Sequence, residues 1–101
     1  MFDELKRKFE EASAAYAAEH SVLRDPDWYV LKLQEEMGEL TQAWNKLSGR
    51  GRNGGKTPGE LRQSLADETA DLLGHVLLFA YRNDIDLASS IERKWKFKPD
   101  L

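Results

Sequence analysis

The spacing of apolar residues limits this chain more than any other feature. They recur in steps of three and four along nearly its whole length, and no stretch alternates apolar and polar positions with β-branched residues as a half-buried strand would. Phe2, Leu5, Phe9, Ala12 and Tyr16 share one stripe, which predicts a first helix ending near residues 19–22. Val30, Leu33, Met37, Leu40, Trp44 and Leu47 form a second seam, and Leu61, Leu65, Leu72, Val76 and Phe79 a third. The signals between the seams are equally helical. Asp25 can cap the second helix, Pro26 suits its first turn, and Asp27 favours the positive end of its dipole. Ser48 and Gly49 should stop it, and Gly49, Gly51, Gly54 and Gly55 make 48–56 a flexible loop. Thr57-Pro58-Gly59-Glu60 reads as a capping box opening a third helix from Pro58 to about Arg82, with Asn83 as a left-handed stop. Asp86 can cap a short fourth helix from Leu87 to about Trp95. The expectation is an all-α chain, a four-helix bundle forming one domain over residues 1–101, whose thin core a homodimer or tetramer would thicken.

Composition narrows the function classes. The longest apolar run, Val76–Tyr81, is far short of a membrane span, and the chain opens on an amphipathic pattern, not a basic-then-apolar leader. There are no cysteines, which excludes disulfides and thiolate metal sites and fits a cytoplasmic protein. With two histidines, a metal site must be mostly oxygen, which favours Mg²⁺, Mn²⁺ or Ca²⁺. A formal net charge of −3 removes any whole-surface case for binding nucleic acid. The charge is uneven, however. Residues 48–57 carry Arg50, Arg52 and Lys56 without an acid, whereas 34–39 carry three glutamates, a pairing suited to holding an anionic substrate on cations.

Two acidic pairs bear the chemistry. Glu36 and Glu39 are three residues apart, as are Glu68 and Asp71, so each pair can aim at one point from its helix. Glu39 precedes Leu47 by eight residues and Glu68 follows Pro58 by ten. At ~1.5 Å per residue both pairs then lie roughly 12–15 Å from the loop end of an antiparallel hairpin, level with each other. At about 100° per residue, Glu68 falls inside the apolar stripe, Asp71 on its shoulder, and Glu36 about 70° off its own seam. Either pair alone is common on a solvated helix face. Two level pairs with one member in a core stripe call for a divalent cation to offset burial and mutual repulsion.

The string Glu35-Glu36-x-x-Glu39, then 28 residues, then Glu68-x-x-Asp71 resembles the signature of the MazG-like, all-α nucleoside triphosphate pyrophosphohydrolase superfamily. That group includes dimeric dUTPases, dCTP pyrophosphatases and phosphoribosyl-ATP pyrophosphohydrolases. The flanking Leu-Gln-Glu-Glu-Met-Gly-Glu-Leu and Ala-Asp-Glu-Thr-Ala-Asp-Leu-Leu-Gly-His-Val-Leu-Leu match as well, as does Ile85-Asp86-Leu87 leading to Lys94-Trp95, so the likeness covers roughly residues 28–95. It implies hydrolysis of a nucleoside triphosphate to monophosphate and pyrophosphate. Glu36, Glu39, Glu68 and Asp71 would be ligands to Mg²⁺, with Mn²⁺ as a substitute and two or more ions per site. Glu35 would orient or deprotonate the attacking water. Lys94 aligns with a family lysine near the substrate phosphates, and Trp44 with an aromatic that stacks on the base.

Other features weigh less. His75, one turn beyond Asp71, could face the pocket, although a histidine on a semi-apolar face is more often structural. Trp44 fits ordinary core packing at least as well as base stacking. The loop around Arg50, Arg52 and Lys56 could fold over a triphosphate or be a solvated linker. It is no Walker A motif, because Arg50 stands where the first glycine is required and a helix, not a strand, precedes it. The competing readings are a phosphoribosyl-ATP pyrophosphohydrolase and a non-catalytic helical interaction module. No membrane or nucleic-acid partner is expected, and the sequence does not name the base.

Overall fold

The computed structural model describes residues 1–99 and contains, among them, four helices and no strand. These are α1 (Phe2–Glu19), α2 (Pro26–Leu47), α3 (Pro58–Arg82) and α4 (Leu87–Trp95). Among the described residues no helix is long and apolar enough to cross a membrane.

The helix starts lie where the local chemistry puts them. The Asp25 side chain accepts from the Trp28 N–H at 2.8 Å, with Pro26 in the first turn. At α3 the box is reciprocal: Thr57 Oγ1 accepts from the Glu60 N–H at 3.1 Å, and Glu60 Oε1 accepts from the Thr57 N–H at 2.9 Å. Asp86 accepts from the Ser89 N–H at the start of α4. One stop is displaced. Asn83 keeps a right-handed φ of −106°, and the left-handed residue is Asp84 at φ 52°. The Ile85 N–H then reaches the Ala80 carbonyl at 2.9 Å, which closes α3 one residue later than the sequence suggests.

α3 is the central element. It packs most extensively on α2 and next on α1, and α4 makes no comparable contact with any helix, so α4 is an appendage and not an equal member of a bundle. Gly74 sets the α1–α3 approach. A Cβ at that position would stand 2.6 Å from Phe9 Cε1, so only glycine lets the Phe9 ring lie against the α3 backbone. The Lys6 ammonium, buried on α1, donates to the Ile85 carbonyl at 3.1 Å and ties α1 to the α3–α4 turn. Arg24 folds the α1–α2 connection back on α1 through paired 2.9 Å bonds to both carboxylate oxygens of Glu10 and a 3.2 Å bond to Ser13.

The core differs from the sequence seams in rotation. On α2 the buried residues are Tyr29, Glu36 and Ala43, while Val30, Met37 and Trp44 are 47%, 52% and 50% exposed. Leu33, Leu40 and Leu47 of the predicted seam stay half-buried, so the face turned inward is rotated by about 50°, half a residue step, from the seam read from hydrophobicity. On α3, Leu61, Gly74, Leu77, Leu78 and Ala80 are buried, whereas Val76 is exposed. On α1, Ala17 and the stem of Lys6 are buried and Tyr16 is exposed. Each helix has more apolar surface than its neighbours in one chain cover. The molecule is correspondingly open: its extents are 42 × 40 × 21 Å and its radius of gyration is 15.9 Å, against about 13 Å for a compact chain of this length.

Candidate functional site

The α2–α3 hairpin brings the two acidic pairs together. Glu36, Glu68 and Asp71 each offer a carboxylate oxygen within 4.8 Å of the other two, and Glu35, Glu36 and Glu39 form an overlapping group at the same spacing. Glu36 belongs to both and is the pivot of the cluster. It is also the buried acid, at 6% exposure, while Glu68 is half-buried and Asp71 exposed. The sequence periodicity placed Glu68 deepest and Glu36 on a shoulder; the rotation of α2 exchanges them.

The electrostatics follow from this crowding. Burial, then the charge of Glu39, pushes the Glu36 carboxyl above its ordinary pKa, and Asp71 adds to the shift. Glu68 is pushed up likewise, by burial first and then by Glu39 and Asp71. Glu39 therefore acts on both Glu36 and Glu68. Two oxygens, Glu36 Oε2 and Glu68 Oε2, are buried without any hydrogen-bond partner. An orphaned carboxylate oxygen is costly, and a cation held among these acids would offset that cost.

Lys32 is the cation that the chain itself supplies. Its Nζ lies 3.3 Å from Glu35 Oε2 and 3.6 Å from Glu36 Oε1. Burial opposes its charge, but the bonds to Glu35 and Glu36 outweigh that and hold its pKa above the ordinary value. His75 Nε2 stands 3.6 Å from Glu36 Oε1, and its Nδ1 is buried without a partner. Burial, reinforced by Lys32, lowers the imidazole pKa and favours the neutral ring.

A cavity of ≈ 450 Å³ adjoins the acids, lined from α1 by Phe9, Ser13 and Tyr16 and from α2 and α3 by Trp28, Lys32, Glu36, Asp71 and His75. The Trp28 and His75 rings meet edge-on, with centroids 5.9 Å apart. The site therefore has an acidic end and an aromatic end, with Glu36, Asp71, Lys32 and His75 common to both.

Of the residues singled out from sequence, the structure gathers Glu35, Glu36, Glu39, Glu68, Asp71 and His75. Trp44, Arg50, Arg52, Lys56 and Lys94 are exposed, and none lines this cavity. Trp44 is half-exposed on the outer face of α2, so the core-packing expectation for it fails. Sequence reasoning passes over Lys32, and it reads Trp28 as packing at a helix end or lining a dimer interface and Phe9 and Tyr16 as the apolar stripe of α1, not as walls of this cavity. Lys32 carried a usable signal, since it stands three and four residues before Glu35 and Glu36. Phe9, Ser13 and Tyr16 carried none, because their place depends on how α1 crosses α3. Comparison with protein-family models, curated proteins and solved structures returned no match for this chain.

Proposed function

We propose that this chain is a Mg²⁺-dependent nucleoside triphosphate pyrophosphohydrolase of the MazG-like type, acting on a deoxynucleotide or a non-canonical nucleotide. The observation that carries this reading is the convergence of Glu36, Glu68 and Asp71 from two helices within 4.8 Å, with two buried carboxylate oxygens lacking any partner. The donor set fits a hard divalent cation: it is all oxygen, and oxygens of an octahedral Mg²⁺ shell stand about 3 Å apart when adjacent and about 4 Å when opposite. The aromatic cavity beside it suits a nucleoside.

In this reading Glu36, Glu39, Glu68 and Asp71 hold Mg²⁺, or Mn²⁺ in its place. The ions supply charge neutralisation at the phosphates and acidify water. Glu35, on the solvent side of the cluster, accepts a proton from the attacking water. The water oxygen bonds to phosphorus as the bridge between the first and second phosphates breaks. The bridging oxygen and its electron pair leave with one product, giving nucleoside monophosphate and pyrophosphate. Burial favours the neutral form of His75 beside Glu36.

A homodimer or tetramer accompanies this reading. Val30, Met37 and Trp44 repeat every seven residues along the uncovered face of α2, and Leu73 and Val76 are exposed on α3. A second hairpin laid on these faces would bury them and complete the thin core.

The test is direct. The protein is incubated with a panel of canonical and modified nucleoside triphosphates and Mg²⁺, and the products are resolved. Monophosphate with pyrophosphate is expected; diphosphate with inorganic phosphate would refute the proposed bond cleavage. Glu68→Gln should lower turnover at least about a hundredfold, as removal of a group stabilising transition-state charge does. It should also abolish the rise in melting temperature that Mg²⁺ gives the unsubstituted protein.

A further inference from the structure

We propose that Lys32 contacts the substrate, its ammonium holding the phosphate nearest the nucleoside where the acid cluster meets the aromatic cavity. This rests on the hydrolase reading above.

Lys32 is on α2, one turn before Glu36, with 23% of its side chain exposed. It lines the cavity beside Trp28 on its own helix, Phe9 and Tyr16 on α1, and Asp71 and His75 on α3. Among those lining residues it is the one lysine or arginine. A nucleotide with its base among the aromatic rings and its phosphates at the acids has its first phosphate at the junction, and Lys32 belongs to both ends. The other lysines and arginines considered for phosphate binding are placed elsewhere. Arg50, Arg52 and Lys56 lie beyond the C-terminal end of α2, roughly 12 Å past Glu39 along the helix axis, and Lys94 is on the loosely packed α4.

The pairing of Lys32 in the structure explains how it becomes available. Its ammonium rests between Glu35 and Glu36 at 3.3 and 3.6 Å, distances of loose ion pairs and not of short hydrogen bonds. Once Glu36 is committed to a divalent cation, Lys32 loses that partner. The flexible four-carbon stem can carry its three donors a few ångströms into the cavity, where a phosphate oxygen is the strongest acceptor. Negative charge redistributes at this phosphate during cleavage, so the contact aids both binding and rate.

The experiment uses the full chain with Lys32→Met and Lys32→Arg, each checked for helicity and melting. The probe is a triphosphate carrying a methylene between its first two phosphates, built on the nucleotide that the unsubstituted protein hydrolyses fastest. Its affinity is measured calorimetrically with Mg²⁺, and Mn²⁺ affinity is measured separately by electron paramagnetic resonance. Lys32→Met should weaken the probe about tenfold or more, the loss of one charge-assisted bond. It should also lower kcat, leave Mn²⁺ affinity undiminished, and leave the affinity of the free nucleoside unchanged, while Lys32→Arg recovers most of the loss. Unchanged probe affinity in Lys32→Met overturns the proposal and leaves the hydrolase reading standing. So does a parallel loss of Mn²⁺, which would make Lys32 only a strut for the acids. If the unsubstituted protein hydrolyses no triphosphate, the hydrolase reading fails and Lys32's role fails with it.

Discussion

Glu36 is held at 6% exposure with one oxygen unpartnered and other carboxylates beside it, an arrangement that makes the metal-free protein sensitive to pH. Raised pKa values at Glu36 and Glu68 mean that the folded state keeps protons which the unfolded chain has already released. The stability these two groups contribute is full below the ordinary carboxylate range and is lost as pH rises through their raised values. His75 works the other way. Its lowered pKa gives stability that is present above the ordinary imidazole value and lost as pH falls through the folded one. With His75→Gln removing that opposition, the melting temperature of metal-free protein should rise as pH falls from neutral toward the ordinary carboxylate range. Saturating Mg²⁺ should reverse the slope, because the cation requires ionised carboxylates. Calorimetric scans with chelator and with Mg²⁺ check both signs. At this scale the sequence disclosed the acids, through their three-residue spacing, and missed which of them is buried, because that depends on how far α2 is rotated in its packing.

Helix ends and helix faces differ in what they owe to local chemistry. Asp25-Pro26, Thr57-Pro58-Gly59-Glu60 and Asp86 act within one turn of their own positions, and each start lies where the sequence puts it. Asn83 misleads because its neighbour Asp84 tolerates the left-handed region equally well and Ile85 closes the motif. Faces are decided at a distance. α2 has one apolar stripe through Leu33, Leu40 and Leu47 and another through Val30, Met37 and Trp44, and hydrophobicity alone does not say which of them α3 covers. The capping box gives a sharp test at this scale. Thr57 and Glu60 are exposed and their side chains hydrogen-bond each other's backbone, so Thr57→Ala should cost about 1 kcal/mol, as a lost N-cap does. Urea denaturation should show a lower midpoint with an unchanged slope. The same substitution should leave Mg²⁺ affinity alone, since the acidic cluster begins about two to three turns further into α3.

At the scale of the whole molecule, the shape is a plate, 21 Å through its short axis and about twice that in the other two. Four helices were legible from periodicity; the plate was not, because periodicity counts apolar faces without saying how many a single chain can satisfy. Met37 stands at the middle of the uncovered α2 stripe. Met37→Glu should therefore shift sedimentation velocity from a dimeric or larger species to the single chain, with helical circular dichroism retained. If the unsubstituted protein already sediments as a single chain, the proposed assembly is wrong. Thinness also governs how the backbone meets solvent. A plate this thin gives each helix few neighbours to hold it against local opening, so a lone chain should exchange its helical amide hydrogens through low-energy openings. Slow exchange confined to the outward stripe of α2 would thus mark where one chain shelters another.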